Sequence, residues 1–137
     1  MRHTVDYYFA PQSPWTYLGH ERFAALVRET GAAVRVLPMD LGKIFPLSGG
    51  LPLPKRAPQR QAYRLLELRR FSQALAVPLN PEPRFFPVAG DPAARLITAV
   101  AMHDGSEAAM KITGAVTAAV WAQHRDLASM SVLAELL

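Results

Sequence analysis

Ser13 stands where residue type and position together suggest chemistry. It follows a predicted strand and precedes Pro14, so we expect it to cap the start of a helix. The unpaired backbone N–H groups and the positive dipole of a helix start stabilise an anion, including a thiolate, to which a serine hydroxyl can donate a hydrogen bond. A Ser-Pro pair is also simply a good helix start, and these residues alone favour that structural role.

A basic cluster is the second candidate for chemistry. Arg56, Arg60 and Arg64 are spaced by four and form one stripe if they are helical, with Glu67 the nearby acid. Such a stripe can bind a carboxylate or phosphate, and it can equally be a solvated helix face. Nucleic acid is not expected as a partner, because Tyr63 is the only interleaved aromatic residue and no nucleic-acid motif is present. The full cluster is Lys55, Arg56, Arg60, Arg64, Arg69 and Arg70.

Several classes of site are not expected. The chain has no cysteine, which removes thiol nucleophiles, disulfides and cysteine-bound zinc. His3, His20, His103 and His124 lack ligand spacing, so a structural or surface role is expected for them and no metal site is predicted. The pair Gly49-Gly50 lacks the lysine and the strand–helix context of a phosphate loop.

The elements that must position Ser13 and the arginines are indicated by the apolar pattern. Residues 5–9 and 34–37 read as strands around a helix that begins at Pro14 and ends at Gly31, a βαβ unit with parallel strands. Residues 40–58 are rich in Gly and Pro and predict an irregular loop. Further helices are predicted over 59–76, 93–103, 106–124 and from 131 to the end, and the apolar face of the first is Leu65, Leu68, Phe71 and Leu75.

Length and composition agree with a folded protein of one domain. The chain has 137 residues, half of them hydrophobic, and a formal net charge of +4. Residues 1–8 contain no apolar run typical of a secretion signal, and no run reaches transmembrane length. We therefore expect a cytoplasmic protein without membrane association.

Segment 6–18 (DYYFAPQSPWTYL) resembles the opening of 2-hydroxychromene-2-carboxylate isomerases and kappa-class glutathione transferases, relatives of the disulfide oxidoreductase DsbA. The segments MDLGKIF at 39–45, GGLPLPKR at 49–56 and RQAY at 60–63 look like the same family continuing. The segments FFP at 85–87 and AVWA at 119–122 also fit. The resemblance implies an α/β fold, a thioredoxin-like βαβ front half followed by an inserted helical domain.

The resemblance also implies site residues and a cofactor. Ser13 and Thr16 stand where thioredoxin-like oxidoreductases carry their two active cysteines, so the reactive sulfur would come from glutathione. In the family's activity, Ser13 donates a hydrogen bond to the glutathione sulfur, and the thiolate adds reversibly to a conjugated substrate. Arg60 is implied to pair with a glutathione carboxylate. The residues implied to line the pocket of a small aromatic or conjugated carboxylate substrate are Lys43, Ile44, Pro54 and Phe85.

Family members are longer, and the resemblance places residues 1–40 in the βαβ part of the thioredoxin-like domain and 41–137 in the loop and helical insertion. We expect the C-terminal strands of the thioredoxin domain, with the Val-Pro turn that binds glutathione, to be missing from this chain. The expected function is glutathione-dependent isomerisation by a homodimer. The alternatives are a kappa-class-like transferase and a truncated, non-catalytic remnant that binds a partner.

Overall fold

Two parallel strands joined by a helix form the first part of the fold. In the computed structural model, which describes residues 3–137, β1 (Thr4–Phe9) pairs with β2 (Ala33–Pro38) in a register that sets Tyr7 opposite Val36. The register alternates the two faces of the sheet, so Phe9 and Val36 enter the core while Asp6 and Arg35 form an ion pair on the outer face. The predicted βαβ unit is confirmed.

The connecting helix α1 (Pro14–Thr30) has the boundaries that its sequence predicts. Ser13 is the N-cap in an extended conformation and Pro14 occupies the first helical turn. Gly31 ends the helix with φ +64°, a left-handed conformation that costs glycine little. Both ends are thus set by local capping chemistry.

The segment after β2 corrects the prediction of an irregular loop over 40–58. It contains α2 (Leu41–Ser48) and a 3₁₀ helix (Leu53–Lys55). The Asp40 side chain accepts a hydrogen bond from the Gly42 N–H at 2.8 Å, and Gly49 ends the helix at φ +75°. Asp and Gly therefore act here as caps, which a count of Gly and Pro does not distinguish from loop residues.

Four further helices complete the chain. The helix α3 (Pro58–Leu75) lies close to its predicted range, but of the four residues expected to form its apolar face only Leu68 is fully buried, and Phe71 is 46% exposed. Three more helices come after it: α4 (Asp91–His103), α5 (Gly105–Trp121) and α6 (Met130–Leu136).

One buried cluster joins the strands to the later helices. Val34 and Val36 of β2 pack with Ile97 of α4 and with Val116 and Val120 of α5. The helical block therefore supports the strand ends from which Ser13 and α2 emerge. The division at residue 40 stays a prediction. Within residues 3–137, no helix is both long and apolar enough to cross a membrane.

Candidate functional site

The turn that carries Ser13 is held by a set of short-range hydrogen bonds. The Ser13 N–H donates to the Ala10 carbonyl at 3.0 Å, and the Thr16 hydroxyl donates to the same carbonyl at 3.1 Å. The Ser13 Oγ accepts from the Thr16 N–H at 3.4 Å. Since Oγ acts only as an acceptor in this contact, its own proton remains available for an anion at the positive end of α1.

Trp121 supports the Ser13 turn from the core of the protein. Its indole is fully buried, and Nε1–H donates to the Gln12 carbonyl at 3.2 Å across 109 residues of sequence. The Gln12 Oε1 is also buried and has no hydrogen-bond partner within residues 3–137. It lies against Gly90, where an added Cβ would come within 2.2 Å of it. The start of α1 is therefore fixed by α5 and by the loop that precedes α4.

Beside this turn lies a surface pocket of about 470 Å³, called the arginine pocket. Its lining from α3 follows helical spacing, so these residues share one face of that helix. Trp15, two residues after Ser13, forms the opposite wall and meets Phe71 edge-on at 5.7 Å between ring centroids. The lining residues are Trp15, Arg56, Arg60, Tyr63, Arg64, Glu67 and Phe71.

Arg64 links the arginine pocket to the support of the Ser13 turn. Its guanidinium lies 5.4 Å from the ring centroid of Phe86 and 5.8 Å from that of Trp121. Burial lowers the pKa of Arg64, and the nearby charge of Arg56 lowers it further. Two guanidinium groups that line one pocket favour an anion there, because it relieves their mutual repulsion.

The structure places the predicted site residues in three groups. Ser13 caps α1, and Arg60 lines the arginine pocket together with Arg56 and Arg64. Lys43 and Ile44 lie on the exposed surface of α2, and Pro54 is exposed in the 3₁₀ helix. Phe85 is half-buried in the loop before α4, with the Arg84 guanidinium 5.2 Å from its ring centroid. None of these four lines the arginine pocket.

Sequence reasoning missed two contacts that shape the site. The spacing of four placed Arg64 in the stripe, but nothing local showed that its guanidinium lies over the rings of Phe86 and Trp121. The hydrogen bond from Trp121 to Gln12 has no sequence signal, because it joins positions that only folding brings together. The prediction of a structural role for His20 is confirmed: it is buried, and Nε2 lies 2.9 Å from the Met110 carbonyl.

A larger cleft of about 600 Å³ lies elsewhere, between the end of α1 and the start of α5. Its lining includes Glu21, Arg28, Glu107 and Lys111, and no residue of the Ser13 turn. Glu107 and Lys111 already pair with each other at 3.1 Å. Size alone therefore does not mark the candidate site, which we place where the helix start, the arginines and the aromatic wall coincide.

The fold and the site define a class: a thioredoxin-like protein in which a βαβ unit is followed by a helical block and a serine occupies the start of the first helix. The chain belongs to the DSBA-like thioredoxin domain family, whose model matches residues 4–137. Its α/β fold with a helical domain is thus the one that the sequence resemblance implied.

Two curated relatives agree with that resemblance. Glutathione S-transferase kappa 1 of Caenorhabditis elegans is 33% identical over 82 residues, which cover 59% of this chain and 36% of that protein. The 2-hydroxychromene-2-carboxylate isomerase of Pseudomonas putida is 29% identical over 76 residues, covering 55% and 37%. The matches thus span little more than a third of either relative.

A solved structure of a 2-hydroxychromene-2-carboxylate isomerase matches with a TM-score of 0.72 at 25% identity. The match covers 97% of this chain and 65% of that one. The likeness to these isomerases therefore extends over nearly all of this chain, and the solved isomerase is about half as long again.

Proposed function

We propose that the protein is a glutathione-dependent isomerase similar to 2-hydroxychromene-2-carboxylate isomerase, with Ser13 as its catalytic residue. The observation that carries the proposal is the position of Ser13. It lies at the positive end of α1 with its hydroxyl proton available, and Trp15 of the same turn forms one wall of the arginine pocket. This arrangement suits a thiolate next to carboxylates, which is what glutathione supplies.

The chain has no cysteine of its own, so glutathione provides the nucleophilic sulfur. Ser13 donates a hydrogen bond to that sulfur and favours its thiolate form. The thiolate adds to a conjugated carbon–carbon double bond: an S–C bond forms, and the π electrons move onto the substrate's carbonyl oxygen. Rotation about the resulting single bond comes next. The electrons then return, the S–C bond breaks, and the thiolate leaves unchanged.

Binding is assigned to the basic side chains. Arg60, with Arg56, binds a glutathione carboxylate in the arginine pocket. Lys43, Ile44, Pro54 and Phe85 are proposed to contact a small aromatic or conjugated carboxylate substrate. The Lys43 side chain is exposed, so its ammonium group can pair with the carboxylate of the substrate. A homodimer and a cytoplasmic location are part of the same proposal.

A kappa-class-like transferase is the second candidate, favoured by the 33% identity to glutathione S-transferase kappa 1. Both functions require the same activated thiolate and differ in the fate of the S–C bond. An isomerase breaks that bond and releases the glutathione, whereas a transferase keeps it and releases a conjugate. Mass spectrometry of the products separates the two. The third alternative, a truncated, non-catalytic remnant that binds a partner, predicts that neither product forms.

The test begins with calorimetric titration of glutathione into the chain. Ultraviolet absorbance of the bound thiolate is then measured against pH. Ser13→Ala should raise the thiol pKa of bound glutathione and lower isomerase turnover by about 10- to 1,000-fold, the loss for one oriented donor. Ser106→Ala, an exposed substitution at the start of α5, is the matched control. Unchanged turnover and unchanged thiol pKa in Ser13→Ala would remove its catalytic role.

The same titration tests the arginine pocket. Arg60→Ala should weaken glutathione binding by about 1.5–3 kcal/mol, the range for hydrogen bonds between charged groups. Arg69→Ala is the matched control, because Arg69 is exposed on the same helix but does not line the pocket. Equal affinities of the two variants for glutathione would show that Arg60 is a solvated surface residue and does not bind the ligand.

A further inference from the structure

The peptide unit between Gln12 and Ser13 is hydrogen-bonded on both sides. Its carbonyl accepts from the Trp121 Nε1–H at 3.2 Å, and its N–H donates to the Ala10 carbonyl at 3.0 Å. The N–H and C=O of a trans peptide point in opposite directions, so these two bonds hold the unit between the end of β1 and α5. The orientation of this peptide unit therefore depends on α5 as well as on the turn itself.

The bond from Trp121 differs in range from the other hydrogen bonds of residues 10–16. Those bonds are local: the Thr16 hydroxyl donates to the Ala10 carbonyl, and the Thr16 N–H donates to the Ser13 Oγ. Within residues 3–137, the bond from Trp121 is the one that reaches residues 10–16 from a distant part of the chain. Local bonds fix the shape of a turn, whereas a distant contact fixes its orientation relative to the helical block.

The surroundings of Trp121 restrict its indole ring. The ring is fully buried, and Phe86 packs against it at 4.8 Å between ring centroids. The Arg64 guanidinium lies over the rings of both residues. On the far side of the bond, the side chain of Gln12 packs against Gly90. Because both partners are held by packing, the bond costs little further conformational entropy.

The direction of the Ser13 hydroxyl depends on this peptide unit. Ser13 has φ −75°, and φ is the rotation about its own N–Cα bond, so a rotation of the preceding peptide unit changes the direction of Cβ and Oγ. The Ser13 carbonyl is fixed separately, by the Tyr17 N–H at 3.2 Å. A hydrogen bond from the hydroxyl to a thiolate weakens steeply as its angle departs from linear. The position of Oγ therefore decides how much thiolate Ser13 stabilises.

We infer that Trp121 is a positioning residue. Its indole N–H, acting through the Gln12 carbonyl, directs the Ser13 hydroxyl toward the sulfur of bound glutathione. This inference rests on the proposed role of Ser13 and adds the group that sets the direction of its hydroxyl. It depends on the sulfur alone and not on where the rest of glutathione binds.

The competing role for Trp121 is that of a core residue whose N–H has a partner because buried tryptophan usually finds one. In that role, substitution lowers the free energy of unfolding and leaves the thiol pKa of bound glutathione unchanged in the folded molecules. A positioning role changes that pKa, and does so only while Ser13 has a hydroxyl to position. The two roles therefore differ in whether the effects of Trp121 and Ser13 are additive.

The experiment measures the thiol pKa of glutathione bound to the full chain, from the ultraviolet absorbance of the thiolate against pH. Trp121→Phe keeps an aromatic ring and loses the N–H, and it should raise this pKa by about 1, the size of one hydrogen bond to a charged group. Added to Ser13→Ala, the same change should raise it by less than about 0.3.

Tyr17→Phe is the matched control. It also removes one long-range hydrogen bond of α1, that from the Tyr17 hydroxyl to the Pro78 carbonyl at 2.5 Å, and it should leave the thiol pKa unchanged. A second variant replaces Trp121 by β-(3-benzothienyl)alanine, which has the shape of tryptophan with sulfur in place of the N–H. It should raise the thiol pKa as Trp121→Phe does, and it decides the test if Trp121→Phe does not melt cooperatively.

The outcomes separate this inference from the proposed function. A rise in the thiol pKa that disappears in the Ser13→Ala background supports the positioning role. If a folded Trp121 variant keeps the thiol pKa of the parent, or raises it equally with and without the Ser13 hydroxyl, Trp121 is a core residue only and the proposed role of Ser13 stands. If the parent chain does not bind glutathione, or binds it without lowering its thiol pKa, both proposals fail.

Discussion

His20 lies where the βαβ unit packs against the helical block, so its substitution tests how much this contact stabilises the fold. The side chain is 2% exposed. Its Nε2–H donates to the Met110 carbonyl of α5 at 2.9 Å, because a carbonyl can only accept. Its Nδ1 then accepts from the Tyr7 hydroxyl of β1 at 3.2 Å. One neutral imidazole thus joins α1 to a strand and to a second helix.

Replacement of this side chain should be costly. His20→Ala leaves the Met110 carbonyl and the Tyr7 hydroxyl without partners, at about 1–3 kcal/mol each, and it removes packed atoms as well. We expect a loss of about 3–5 kcal/mol in the free energy of unfolding, measured by urea denaturation. His103→Ala, at the exposed end of α4, should cost far less and is the control.

The same contact should make stability depend on pH. Burial lowers the pKa of His20 below its ordinary value of 6.5, against smaller opposing effects of the Met110 carbonyl and Glu21. The unfolded chain therefore takes up a proton at this residue at a higher pH than the folded chain does. The contribution of His20 is complete above the unfolded pKa, decreases as pH falls below about 6.5, and is lost once pH passes the folded pKa.

The assay is urea denaturation from about pH 7.5 to about pH 5, on either side of the ordinary titration of histidine. The parent should lose stability toward the acid end, and His20→Phe should lose markedly less over the same interval because it has no proton to bind. Equal pH dependence in parent and His20→Phe, or a cost for His20→Ala below about 1 kcal/mol, would refute this account of the contact.

Three other contacts give further predictions. Burial raises the pKa of Tyr7 to about 12 from its usual 10.0, so stability should fall as pH rises through that interval. Tyr7→Phe should reduce this alkaline loss in circular-dichroism melts, and the part that remains is expected from Tyr17, whose pKa burial also raises. Gly90→Ala places a methyl group 2.2 Å from the Gln12 Oε1 and should lower the free energy of unfolding, measured by urea denaturation, by about 1–3 kcal/mol. Adding Gln12→Ala should recover most of this loss, and no recovery would contradict the contact between the two residues. Trp121→Phe loses the 3.2 Å hydrogen bond to the Gln12 carbonyl and should lower the free energy of unfolding by at least about 1 kcal/mol. Hydrogen exchange of the backbone amides in the Ser13 turn should be faster in this variant, because that bond fixes the turn.

The boundaries of α1 and the βαβ unit could be predicted from the sequence because the interactions that set them are local. The Ser13 cap, the helical turn at Pro14 and the left-handed Gly31 act within a few residues of one another or of a helix end. The alternation in the strands likewise reports which face is buried. The resemblance of segment 6–18 to 2-hydroxychromene-2-carboxylate isomerases and kappa-class glutathione transferases is also a property of the sequence alone, and the family match and the two relatives confirm it.

The helix α2 was missed for a physical reason. Asp, Gly and Pro end helices and also form loops, so their frequency in 40–58 did not reveal that Asp40 and Gly49 cap a short helix. The exposure of Phe71 was missed for a different reason. Helical spacing shows which residues share a face of α3, but not whether a neighbour covers that face. Here Trp15 packs perpendicular to Phe71 and leaves it 46% exposed.

The site itself was decided by tertiary structure. The sequence alone determined that Ser13 stands at the start of a helix and that Arg56, Arg60 and Arg64 recur at helical spacing. It also determined that the chain has no cysteine to act as a nucleophile. Only packing placed the arginine pocket against Trp15, Arg64 over the rings of Phe86 and Trp121, and Glu67 among the arginines. These contacts join α3 to α1 and α5. Their energies depend on the distances between side chains of different helices, which the spacing of residues along one helix does not reveal.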